Sequence, residues 1–120
     1  SLAKRDNLTT EQINLLLDRN SFRIDQVLSE NKNLTPEQIN LLIDRHHQII
    51  QRNLIERKDL TKDNFYKLFI KMKSNIKSLS NDLQVRSYIK KFYGSKIPEK
   101  YSYVLSLANK FLKLARLNFA

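Results

Sequence analysis

Residues 7–19 read NLTTEQINLLLDR, and residues 33–45 read NLTPEQINLLIDR. The two stretches start 26 residues apart, and an ungapped alignment of 7–32 with 33–58 matches 15 of 26 positions. The same period reaches DLTKDNFYKLF at 59–69, where Leu8, Leu34 and Leu60 coincide, as do Thr9, Thr35 and Thr61. Leu16, Leu42 and Leu68 fall in phase, and so do Ile24, Ile50 and Ile76. Three copies in phase describe a repeat array, with units at 7–32, 33–58 and 59–79.

Each unit opens with the residues that start a helix. Thr9, Thr35 and Thr61 suit the N-cap, where a hydroxyl accepts from an otherwise unpaired first-turn N–H. Gln12 and Gln38 follow three residues later and complete a capping box; Asn64 is a shorter version in the third unit. Pro36 takes the first helical position, where a missing N–H costs nothing. Glu11, Glu37 and Asp63 lie in the first turn, favoured by the helix dipole. Leu8, Leu34 and Leu60 precede the caps and pair with Ile13, Ile39 and Phe65 as hydrophobic staples. Ile13, Leu16 and Leu17, and then Ile39, Leu42 and Ile43, share one helix face. Asn20-Ser21 breaks the first unit, and a shorter helix with Ile24, Val27 and Leu28 follows. Ile50 and Leu54 repeat it. Each unit is thus a helix pair too small to bury its own apolar face, and stacking supplies the missing cover.

The third unit departs from this pattern. Phe65, Leu68, Phe69, Met72, Ile76 and Leu79 form one unbroken stripe, which predicts a single helix over 62–79. A helix over 83–93 follows, with Val85, Tyr88, Ile89 and Phe92 inward and Gly94 as its stop. A final helix is expected over 98–118. The fold class is therefore all-α: a short α-solenoid of helix-pair repeats over 1–79, capped by C-terminal helices over 80–120 in the same compact domain. LAKRD at 2–6 aligns with LSENK at 28–32 and LIERK at 54–58. On that alignment the chain begins inside an earlier unit and is expected to be a piece of a longer protein.

The phrase SENKNLTPEQINLLIDR, preceded by a short helix, resembles the leucine-rich repeat variant, an α-solenoid loosely akin to HEAT-type repeats. The resemblance covers about residues 2–60. It implies a binding scaffold without catalytic residues. The iron–sulfur cluster of that family does not carry over, because its Cys ligands are missing.

Composition narrows the choice of chemistry. The chain has no Cys, one Gly and two Pro. Disulfides and thiol catalysis are excluded, and little turn chemistry remains for a many-stranded sheet. No apolar run reaches the length of a membrane span. With no signal sequence visible, a cytoplasmic location is favoured. His46-His47 is the only histidine pair, and neighbouring residues point apart, so it makes a poor metal chelate. No enzyme, metal or cofactor is expected. The net charge of +10 comes entirely from one half: residues 1–60 hold nine basic and nine acidic residues, whereas 61–120 hold thirteen and three.

Two kinds of binding surface follow. Asp18-Arg19 and Asp44-Arg45 recur at helix ends, as a polar ladder between units or as a peptide contact. Tyr103, Leu107, Leu114 and Leu117 fall outside the main apolar face of the last helix and are candidates for a protein partner or a second copy. Lys67, Lys71, Lys73 and Lys77 spread around the third unit's helix. Lys90, Lys91, Lys96 and Lys100 cluster about Gly94, with Tyr93 and Tyr101 nearby. Lysines beside tyrosines suit phosphate contact and base stacking, and equally an acidic protein. The expected function is a non-enzymatic protein-interaction module; a nucleic-acid-binding module using the basic half is the alternative.

Overall fold

The computed structural model describes residues 6–45, 47–72, 83–102 and 106. Every regular element among them is a helix. The chain divides into two compact units, residues 1–71 and 72–120. The boundary falls inside a helix.

The first unit contains α1 (Thr10–Leu17), α2 (Phe22–Leu28), α3 (Pro36–Asp44), α4 (Gln48–Ile55) and α5 (Lys62–Met72, to Lys71). Its helix starts form as the caps predict. Thr9 and Thr35 make full capping boxes: each hydroxyl accepts from the backbone N–H of Gln12 or Gln38 at 3.1 Å. In return the glutamine side-chain oxygen accepts from the threonine N–H at 2.9 Å. Asn64 does the same for Thr61, at 3.0 and 3.2 Å. The staple residues Leu8, Leu34 and Leu60 and their partners Ile13, Ile39 and Phe65 are all buried. So are Leu16, Leu17, Leu42 and Ile43. Asn20 ends the first helix at φ 51°, a left-handed conformation that asparagine tolerates better than most residues.

Two layers result. α2 packs against α1 and α4, and α4 packs against α3. In front of them α1, α3 and α5 are joined flank to flank by side-chain amides. Gln38 Nε2 donates to Thr10 O at 3.1 Å and to Asn14 Oδ1 at 2.9 Å. Asn64 Nδ2 donates to Pro36 O at 3.0 Å and to Asn40 Oδ1 at 2.6 Å. The acceptors occupy equivalent positions, so α3 meets α1 as α5 meets α3. The apolar core lies between the layers, where Leu28, Leu42, Ile43, Ile50 and Leu54 are each fully buried. Burying a leucine-sized side chain contributes about 1.5–3 kcal/mol.

The second unit contains α6 (Leu83–Tyr93). Val85, Tyr88 and Ile89 are buried as the periodicity predicts, and Phe92 is half-buried. Gly94 stops the helix at φ 60°, its N–H bonded to Lys90 O at 2.9 Å. The chain turns at 95–98, and residues 99–102 are helical again. The expected continuation of the third-unit helix over 73–79 lies outside the described residues, as does most of the final helix over 98–118.

Candidate functional site

Of the recurring Asp-Arg pairs, only Arg45 bonds across to another helix pair among the described residues, and its partner is Asp25. Arg45 reaches back across the layers. Its Nη1 contacts both carboxylate oxygens of Asp25 at 2.6 Å, and its Nη2 donates to Leu17 O at 2.7 Å. Asp25 is buried, with its side chain 2% exposed, whereas that of Arg45 is 18% exposed. A buried carboxylate needs such a partner, since leaving it unpaired costs several kcal/mol. Asp25 is flanked by Ile24 and, after Gln26, by Val27 and Leu28, and an acid among those inward residues was the available signal. Arg19, Asp18 and Asp44 take no part and stand exposed.

A second arginine ties the later loops together. Arg57 Nη1 donates to Ser29 O and Asn31 O, at 2.9 and 2.8 Å, while Nε and Nη2 grip Asp59 at 2.8 and 2.7 Å. Asn53 Nδ2 donates to Ser29 Oγ at 3.0 Å. Asn33 Nδ2 donates to the carbonyl of Asp6. Apart from the Asp59 contacts, these bonds span 24 to 28 residues, so each ties together segments about one repeat length apart. Around Arg57 an open cleft of about 410 Å³ is lined by Glu30, Lys32, Arg57, Lys58 and Asp59. Its central guanidinium is engaged by Asp59 and two carbonyls.

The basic cluster is in part as expected. Lys90, Lys91, Lys96 and Lys100 are all exposed. Lys91 Nζ lies 5.8 Å from the Tyr88 ring centre and 5.7 Å from that of Phe92, and Lys100 Nζ lies 5.3 Å from that of Tyr101. Cations at these distances are held by the ring quadrupole. The aromatic half of the expectation changes. Tyr101 is fully buried, packed 5.4 Å from the half-buried Tyr93 ring, so it is a core residue and no stacking platform. In the first unit Lys67 is exposed and Lys71 half-buried. Lys73, Lys77, Tyr103, Leu107, Leu114 and Leu117 lie outside the described residues.

His47 is exposed at the N-cap of α4 and makes no side-chain cap bond; its ring meets Phe22 edge-on, with centres 4.9 Å apart. His46 lies outside the described residues. Among the described residues no three His, Asp or Glu side chains group as a metal site, and no helix is long and apolar enough to cross a membrane. No family model matches the chain, and neither a curated protein nor a solved structure matches it.

Proposed function

We propose that the protein is a non-enzymatic interaction module, a short α-solenoid of 26-residue helix pairs that presents a stacked surface to protein partners. The observation that supports this most is the duplicated amide bridge, Gln38 to α1 and Asn64 to α3. An amide that caps its own helix while gripping the preceding one is a device for adding units in register. Such arrays expose extended surfaces of repeated geometry, suited to elongated partners. The resemblance to leucine-rich repeat variants points the same way. The side chains brought together are spent on structure: Asp25 on Arg45, Asp59 on Arg57, the amides on caps and bridges.

Panning a random peptide library on the immobilised full chain tests the reading. An enriched consensus that binds in solution with micromolar Kd, and loses binding in a Gln38→Ala/Asn64→Ala variant, is the expected result. Absence of any enriched consensus would overturn it.

A second reading is favoured by one observation: four exposed lysines fall within residues 90–100. They suit a non-specific polyanion contact. Its affinity for RNA or DNA would fall steeply with salt, and charge reversal at Lys90 and Lys91 would abolish it. Titration of labelled single- and double-stranded probes at low salt decides it, and no binding there removes this reading.

A further inference from the structure

The front helices α1 and α3 turn opposite faces to the core and to solvent. At ~100° per residue, positions 11, 15 and 18 lie on the side away from the buried Ile13, Leu16 and Leu17. Positions 37, 41 and 44 repeat this on α3. All six are exposed. They carry an acid, a leucine and an acid on each helix: Glu11, Leu15, Asp18 and Glu37, Leu41, Asp44. Leu15 is 68% exposed and Leu41 41% exposed. The amide bridge from Gln38 to Asn14 holds the two flanks together, so equivalent positions align across the helices. The result is an apolar row between two acidic rows.

Folding accounts for part of this surface only. Glu11 and Glu37 favour the helix dipole from the first turn. Asp18 and Asp44 do the reverse: Asp18 is the C-cap of α1 and Asp44 the last residue of α3. Carboxylates there face the negative end of the dipole and cost stability. Among the described residues neither forms an ion pair, and the leucines between the rows are exposed at a further cost in hydration. Neither choice is required by a cap, a staple or the core, and the repeat carries both from α1 to α3.

We propose that this face of α1 and α3 binds a basic amphipathic helix of a partner protein, its apolar side laid on Leu15 and Leu41 and its lysines or arginines against the acidic rows. The charge of the face selects this occupant. It is locally acidic in a chain whose net charge is +10, so it repels acidic partners and attracts basic ones. The face ends at α5, where the equivalent positions are Asp63, Lys67 and Ile70 and the central leucine has become a lysine. The proposal rests on the scaffold reading and names the partner class for it.

The test uses fluorescence anisotropy with the full chain and three labelled 18-residue peptides. One is a Leu/Lys amphipathic helix, one has the same composition scrambled, and one is the Leu/Glu counterpart. The Leu/Lys helix should bind alone. Asp18→Lys/Asp44→Lys should weaken it by about tenfold or more, and Leu15→Ser/Leu41→Ser by a similar factor. Both variants should keep wild-type helicity, and the aspartate variant should melt at or above the wild-type temperature, because its new charges suit the helix ends. Equal binding of the scrambled peptide, or binding unmoved by the aspartate reversal, overturns the proposal. So does a complete lack of binding. If library panning still enriches another class of peptide, the scaffold reading stands and only this partner class falls.

Discussion

Residues 6–71 and residues 83–102 handle polar side chains differently. In the first stretch Asp25, Ser29, Asn31, Gln38, Gln51 and Asn64 are buried, and Asp25, Ser29, Gln38 and Asn64 each bond to the neighbouring helix pair. In the second, the buried side chains are Val85, Tyr88, Ile89 and Tyr101, while the lysines are exposed and two of them, Lys91 and Lys100, lie over aromatic rings. The difference shows what stacking demands. A helix pair that must accept a neighbour in one register gains from buried amides and ion pairs, because a slip leaves them unsatisfied. Residues 83–102 pack aromatic and aliphatic side chains and leave their lysines in solvent.

The comparison can be broken most severely through the core of the first stretch. Leu42→Ala should destabilise the protein by about 4 kcal/mol, as cavities at fully buried leucines do, measured by urea denaturation followed by circular dichroism. Next comes the ion pair. Arg45→Met leaves the Asp25 carboxylate buried without its cation, and the loss should be about 3 kcal/mol. An effect below that of a surface substitution would mean that Asp25 finds another partner or water.

The amide bridge gives a sharper comparison, because nature supplies the control. Gln12 and Gln38 occupy the same repeat position and make the same cap, but Gln38 alone adds bonds to Thr10 O and Asn14 Oδ1. Gln38→Ala should therefore cost about 2 kcal/mol more than Gln12→Ala, the worth of two partly buried hydrogen bonds. Equal losses would show that capping is the whole contribution. The smallest effect belongs to the second stretch. Gly94→Ala meets nothing within 4 Å of the added Cβ, so only the left-handed backbone is penalised, by about 1 kcal/mol; thermal melting resolves it.

Much of the first stretch is legible because its instructions are local. Thr9 speaks to Gln12 and Leu8 to Ile13, each within one helical turn or so, and the stripe of Ile39, Leu42 and Ile43 needs only the helical period. The second task of Gln38 was hidden behind its first: a capping residue has already explained itself. Tyr101 both heads the apolar face of the last helix and stands beside lysines, and a tyrosine so placed looks the same in sequence whether its ring is inside or out.

The sequence by itself determined that the described elements are helical, where α1, α2, α3 and α5 begin and α6 stops, and which apolar faces turn inward. Those are consequences of caps, dipoles and periodicity among residues a few positions apart. Only the tertiary structure decided that Arg45 answers Asp25 rather than Asp44, that Gln38 and Asn64 bridge helices, and that Tyr101 is core. Each of those facts joins or encloses side chains that the chain's local rules leave free, and the bridges run 20 to 28 residues. Burial chooses among the candidate partners, because in the dry interior an unmatched charge or amide costs more than the chain loses by bringing its match from afar.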